Sequence, residues 1–189
     1  GLPYFNKGNL SNVVANMGFW SKIPDLDAVQ SLNNLELATN GKFEPKNFDR
    51  IIANGQYLPV CGMNFCFKRN IAPLTYFPLM GEGSPFRRFD DIWSGVIFKK
   101  IIDHLNLSLS VGTPYIEHQR ASDIMNNLVK ETPGIAANET FWQRVDEIQL
   151  AGDTPVKCMI ELGSDLKNDK DDYRSRLGTA IIIWANLFL

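Results

Sequence analysis

The pattern of apolar and polar residues is most regular between residues 92 and 105. Apolar side chains recur there every three or four positions, the spacing of one helix face, at Ile92, Trp93, Val96, Ile97, Ile101, Ile102 and Leu105. Asp90 and Asp91 stand directly before this stretch, where carboxylates can accept hydrogen bonds from the free amides of a first helical turn. The pattern therefore predicts a helix over 92–105 with one wide apolar face.

The remaining pattern predicts strands that alternate with helices. The predicted elements are strands over 57–67 and 107–111, and helices over 138–150 and 173–189. Loops or polar connections are predicted over 24–27, 33–50, 113–115 and 164–172. This order predicts an α/β layer structure. We expect one domain, with residues 1–150 as its body and residues 151–189 as a helical C-terminal appendage.

Composition narrows the class of protein. The 189 residues are 44% hydrophobic, with 12 Phe and 4 Trp, which is enough apolar material for one globular core. A net charge of −2 argues against a basic nucleic-acid-binding face. Three cysteines without a CxxC pair favour reduced thiols and a cytoplasmic location. The most apolar run, over 180–189, is about half the length of a membrane span, so no span is expected.

A first candidate site lies within the predicted strand over 57–67. Gly62 can allow a ligand to approach the backbone closely, and Asn64 can both donate and accept hydrogen bonds. Gly62, Met63 and Asn64 are therefore predicted to bind substrate. The alternative is a bulge or a tight packing position.

A second candidate site is the acidic pair at the start of the predicted helix. Asp90 and Asp91 can hold a sugar, with one acid accepting a hydroxyl proton, while the ring of Trp93 stacks on the sugar. The alternative is a helix cap followed by a core tryptophan, which explains one of the two acids.

Further candidates are a metal ligand and a group of cations. His118 follows a predicted strand and has the side chain that most often binds divalent metals, although a lone histidine is commonly a satisfied polar residue. Lys7, Arg87 and Arg88 can clamp a diphosphate, although isolated basic residues are commonly solvated.

Several separated motifs resemble one known family in their order along the chain. The motifs are Gly1-Leu2-Pro3-Tyr4, Gly18-Phe19-Trp20, Ile23-Pro24-Asp25-Leu26-Asp27-Ala28, Cys61-Gly62-Met63-Asn64, Tyr76-Phe77-Pro78-Leu79-Met80-Gly81, Arg88-Phe89-Asp90-Asp91-Ile92-Trp93-Ser94-Gly95, Asp103-His104-Leu105 and Pro114-Tyr115-Ile116-Glu117-His118. This order resembles the reversibly glycosylated polypeptide family, whose best-known members are UDP-arabinopyranose mutases. The resemblance covers roughly residues 1–130.

The resemblance implies a glycosyltransferase-A-like fold, a mixed sheet with flanking helices, that binds a UDP-sugar and Mn²⁺ or Mg²⁺. The aspartate run that binds the metal in this family precedes the matched region. The chain is therefore expected to be the acceptor-side portion, without the nucleotide-binding half, and to be inactive and to bind UDP-sugar weakly on its own. Asp91 would inherit the role of base, and His118 would complete a metal shell.

The implied function of the full-length protein is that of a UDP-sugar mutase or a glycosyltransferase. The alternative is a non-catalytic glycosyltransferase-like subunit that partners an active homologue, in a homo- or hetero-oligomer. A cytoplasmic or peripheral Golgi location is expected. The family carries two arginines seven residues apart, one of which becomes glycosylated. The first would precede Gly1 and the second falls near Lys7, so the resemblance does not carry self-glycosylation over to this chain.

Overall fold

A computed structural model describes residues 12–46, 48–81, 83–119 and 122–189. It confirms the predicted α/β fold, with a mixed four-stranded sheet in the order β2-β4-β1-β3. The strands are β1 (Val13–Lys22), β2 (Arg50–Ile51), β3 (Phe65–Phe67) and β4 (Ser108–His118). The α-helices are α1 (Ala28–Asn33), α2 (Leu35–Thr39), α3 (Asp90–His104), α4 (Ile124–Asp146), α5 (Pro155–Lys167) and α6 (Asp172–Asn186).

The two long strands form the centre of the sheet. β1 and β4 pair in parallel from Val13 opposite Ser108 to Lys22 opposite His118. The short strands β3 and β2 pair antiparallel on their outer edges. The prediction of a strand that ends at 111 and a turn at 113–115 was wrong, because β4 continues to 118. Asp49 accepts hydrogen bonds from the backbone and hydroxyl of Thr113, which holds this stretch in the extended chain.

The strand predicted over 57–67 was wrong for most of its length. Only Phe65–Phe67 is a strand, and Gly62–Asn64 forms a turn of 3₁₀-helix before it. Pro59 has no amide hydrogen to donate to a neighbouring strand. The amide of Val60 donates to the carbonyl of Asp91 in α3 (3.1 Å), so this segment is bonded to a helix instead of to the sheet.

The helix predicted over 92–105 is confirmed as α3, which begins at Asp90. Its Trp93 and Ile97 are each 1% exposed in the main core. The helix predicted to start at 138 instead starts at Ile124, where Asp123 accepts a hydrogen bond from the amide of Asn126. Pro133 and Gly134 lie inside α4.

The C-terminal region contains one helix that the pattern did not predict. α5 begins after Thr154, whose hydroxyl accepts a hydrogen bond from Lys157 N, and Pro155 occupies its first turn. α5 packs against α6, and both reach the main core through Leu162, Leu166 and Ile181. Among the helices of the described ranges, none is both long enough and apolar enough to cross a membrane.

Candidate functional site

A cleft of about 380 Å³ lies where four separate stretches of chain meet. Its walls are the loop after β1, the segment before the 3₁₀ turn, the start of α3 and one face of α4. The described residues that line it are Trp20, Asp25, Leu26, Asp27, Val29, Gln30, Pro59, Cys61, Arg88, Phe89, Asp91, Ile92, Glu131, Ile135, Asn138 and Glu139.

Two glycines bring these walls into contact. A Cβ atom on Gly95 of α3 would lie 2.1 Å from the carbonyl oxygen of Leu58, so only glycine allows the 58–60 segment to cross the helix there. A Cβ atom on Gly134 of α4 would lie 2.4 Å from the ring of Phe89, which stands directly before α3. Both helices therefore approach the cleft more closely than a larger residue would permit.

Asp25, Cys61 and Asp91 form the most closely spaced group of ligand atoms in the cleft. One ligand atom from each side chain lies within 4.8 Å of the others. The thiol of Cys61 donates to Oδ2 of Asp25 at 3.5 Å. Two carboxylates at this distance repel each other when both are ionised, and this repulsion favours binding of a proton or a cation.

Burial, which is the largest cause, and the negative charges of Asp90 and Asp25 together raise the pKa of Asp91 to about 6. The amide of Ile92 donates to Oδ1 of Asp91 at 2.8 Å, which opposes these effects by favouring the ionised form. A carboxyl group with this pKa exchanges its proton near neutral pH and can serve as a general acid or base.

Cys61 remains a neutral thiol in this setting. Burial is the main cause that raises the pKa of Cys61 to about 12, and the charges of Asp25 and Asp91 add to it. Since the thiolate is the nucleophilic form of cysteine, the side chain is chemically inert at neutral pH. The two carboxylates carry the chemistry of this group.

Arg88 and Glu131 connect two walls of the cleft. Nε of Arg88 donates to Oε1 of Glu131 at 3.0 Å, and the amide of Ala28 donates to Oε2 of the same carboxylate at 2.8 Å. Glu131 is 5% exposed, so its charge is buried but paired. The carboxylate thus connects the start of α1 to the segment before α3.

The chain matches the family model "Reversibly glycosylated polypeptide" over residues 1–188. The chain belongs to this family. The resemblance seen in the sequence is therefore confirmed, and the match extends through α5 and α6, beyond the roughly 130 residues that carried it.

Curated proteins that are similar to this chain carry the name UDP-arabinopyranose mutase. The chain is 35% identical over 192 residues to "UDP-arabinopyranose mutase 2" of Arabidopsis thaliana, covering 97% of this chain and 52% of that protein. It is 37% identical over 193 residues to "Probable UDP-arabinopyranose mutase 1" of Zea mays, covering 97% and 51%. The chain spans about half the length of the curated relatives that it matches.

The structure separates the two acids of the family motif. Asp91 lines the cleft, whereas Asp90 is absent from its described lining. Trp93 is buried at 1% exposure, stacks on Phe141 with ring centroids 4.1 Å apart, and donates from Nε1 to Asn138. Because Trp93 is enclosed in the core, it has no exposed ring face for a sugar, and its predicted stacking role disagrees with this geometry.

The contacts of Asn64 agree with the alternative that this segment is a tight packing position. Its amide nitrogen donates to the carbonyls of Phe19 (3.1 Å) and Pro114 (2.8 Å), and so joins β1 to β4. Gly62 and Met63 lie in the same 3₁₀ turn, and neither they nor Asn64 line the described cleft. The position of these three residues gives no support to their predicted contact with substrate.

The remaining predicted site residues are His118 and Lys7. Nδ1 of His118 lies 2.8 Å from the carbonyl of Ile23, and among the described residues His118 belongs neither to the cleft lining nor to the close group of ligand atoms. Its assignment as a metal ligand stays a prediction. Lys7 lies outside the described residues.

Asp25 and Glu131 line the cleft but were not among the residues predicted to form the site. Asp25 lies in the predicted Pro-Asp-Leu-Asp loop, and the structure confirms this loop. Its proximity to Asp91 depends on contacts between segments that are distant along the chain. Glu131 carried one signal, since an acidic residue at a buried position of a helix requires a cationic or hydrogen-bonding partner. Because the helix was predicted to start at 138, residue 131 was not expected to lie on a helix, and its burial on a helix face was not predicted.

Proposed function

We propose that the chain is the sugar-handling part of a UDP-sugar mutase and that the cleft around Asp91 holds the reacting sugar. The observation that carries this proposal is a partly buried carboxyl group with a pKa of about 6 that faces a cleft lined with polar side chains. The family and the printed names of the relatives support the substrate class.

The net chemistry of such a reaction suits one acid–base group. When a pyranose becomes a furanose, one sugar hydroxyl loses its proton and its oxygen bonds to the anomeric carbon. The bond between that carbon and the former ring oxygen breaks, and this oxygen gains a proton. The net change in protons is zero. Asp91 can accept the first proton as a carboxylate and return one as an acid, because its two forms are similarly populated near pH 6.

The donor set of the cleft also fits the Mn²⁺ or Mg²⁺ that the family implies. These cations prefer oxygen ligands, and Mg²⁺ is commonly held by one or two carboxylates together with substrate phosphates. Asp25 can supply one such carboxylate, which leaves Asp91 available for proton transfer, whereas the neutral thiol of Cys61 is a poor ligand for a hard cation. When bound, the cation would neutralise charge on the diphosphate of the substrate.

The test is product analysis with the full-length protein. UDP-arabinopyranose is incubated with the wild type and with Asp91→Asn, and the UDP-pentoses are separated by chromatography. We expect conversion by the wild type and a loss of about a hundredfold or more in Asp91→Asn. Asp172→Asn is the matched control, since it removes an exposed carboxylate from the first turn of α6.

The outcomes separate this proposal from its rival. Full activity in Asp91→Asn would contradict the role of Asp91. A wild type that folds but converts no UDP-pentose or UDP-hexose would favour the non-catalytic subunit.

A further inference from the structure

The charged residues that line the cleft are acidic, with one exception. Its described lining contains five carboxylates, Asp25, Asp27, Asp91, Glu131 and Glu139, and Arg88 is the single Lys, Arg or His among the residues given for it. A diphosphate in such a cleft is repelled by like charges unless a cation faces it. The position of Arg88 therefore bears directly on how an anionic substrate binds.

The backbone of Arg88 adopts an unusual conformation. Its φ angle is 63°, in the left-handed region where residues with a side chain are uncommon. Such conformations persist when surrounding structure holds them, and they concentrate at functional sites. The backbone conformation of Arg88 points to a functional role, and the contacts of its side chain indicate which role that is.

The side-chain contacts leave one edge of the guanidinium available. Nε is bonded to Glu131, and within the described ranges the structure gives no hydrogen-bond partner for the two Nη atoms. The Arg88 side chain is 43% exposed at the cleft, whereas that of Glu131 is 7% exposed. A guanidinium that is held at Nε and open at Nη can bind phosphate oxygens through two parallel hydrogen bonds.

We propose that Arg88 anchors the diphosphate of the UDP-sugar and that Glu131 is the positioning residue that holds its guanidinium toward the cleft. The inference rests on the proposed function for the identity of the ligand. Because Glu131 also accepts the amide of Ala28, it fixes Arg88 relative to the loop that carries Asp25.

The first test is calorimetric titration of the full-length protein with pyrophosphate, UDP and uridine in the presence of Mg²⁺. Arg88→Gly is the variant of choice, since glycine adopts a positive φ without strain and the guanidinium is removed. We expect the affinity for pyrophosphate and UDP to fall about tenfold or more, with affinity for uridine unchanged. Arg176→Ala, which removes an exposed guanidinium from the surface of α6, is the control and is expected to bind all three like the wild type.

The second test examines Glu131 through Glu131→Gln, which retains an oxygen for Ala28 but loses the charge that holds Arg88. We expect KM for the UDP-sugar to rise several-fold with kcat little changed, and Glu131→Asp to restore part of the loss. If Glu131 contributed only to stability, Glu131→Gln would lower the melting temperature, and it would change the affinities for UDP and for uridine equally.

Each result has a defined meaning. Equal affinity of Arg88→Gly and wild type for pyrophosphate and UDP would overturn the anchor, as would a wild type that binds neither ligand. The proposed mutase activity is judged separately by the product analysis. A protein without that activity whose pyrophosphate binding still depends on Arg88 would retain the anchor and lose the proposed function.

Discussion

Asp91→Asn is expected to stabilise the protein at neutral pH while it removes activity. The partly buried carboxyl group of Asp91 has a folded-state pKa of about 6, above its ordinary value of 3.8. The folded state therefore holds a proton more tightly than the unfolded chain does. Stability from this group is greatest below pH 3.8, and it is lost as the pH rises toward 6.

The size of this loss follows from the pKa difference. At about 1.4 kcal/mol for each pH unit, the change from 3.8 to about 6 corresponds to roughly 3 kcal/mol at pH 7 or above. Asparagine cannot ionise, and its side-chain oxygen can still accept the hydrogen bond from the amide of Ile92. We therefore expect Asp91→Asn to be more stable than the wild type by about 1–3 kcal/mol at pH 8 and nearly equal to it at pH 4.

The measurement is urea unfolding of the wild type and Asp91→Asn at several pH values between 4 and 8. Asp172→Asn is again the control, because its carboxylate is exposed and paired only with Arg176 on the surface. We expect this control to follow the wild type at every pH. An Asp91→Asn variant whose stability curve runs parallel to the wild type from pH 4 to 8 would refute the argument that burial of Asp91 is destabilising.

Two further predictions concern the close packing at Gly95 and the buried ion pair of Lys99 with Asp103. Gly95→Ala is expected to lower the free energy of unfolding by about 2–3 kcal/mol, since its Cβ would meet the carbonyl of Leu58; thermal melting checks this against Gly62→Ala, where the nearest atom is 3.6 Å away. Lys99→Met is expected to cost about 3–5 kcal/mol in urea unfolding, because Asp103 loses its buried cation. Replacing Asp103 by Leu in the same chain should restore most of that loss, and no recovery would contradict the pairing.

Local pattern was sufficient for the α/β class and for α3, because a 3.6-residue period in strongly apolar side chains determines a helix without help from distant residues. It failed at 57–67, where alternation of apolar residues resembles a strand. The deciding interactions there are the missing donor of Pro59 and the hydrogen bond from Val60 to α3. Neither the partner nor the close approach at Gly95 can be seen from the segment itself.

The candidate site was predicted in part, for a similar reason. Asp91 was identified because an acidic pair opens a helix, and that is a local feature. Asp25 and Glu131 lie 66 and 40 positions away from it along the chain, and only the packing of the β1–α1 loop and α4 brings them to the same cleft. An aromatic residue beside two acids has the same local pattern whether it stacks on a sugar or on a core residue, and the ring of Trp93 stacks on Phe141.

The way the cleft is assembled has a consequence for how the molecule responds to a ligand. Since its walls come from stretches near residues 25, 60, 90 and 135, no short fragment of the chain contains the site. A ligand that binds there stabilises only the conformations in which all four stretches are docked. Binding is therefore expected to slow amide hydrogen exchange in the loop after β1 and in α4 together, so that segments distant in sequence open and close as one unit.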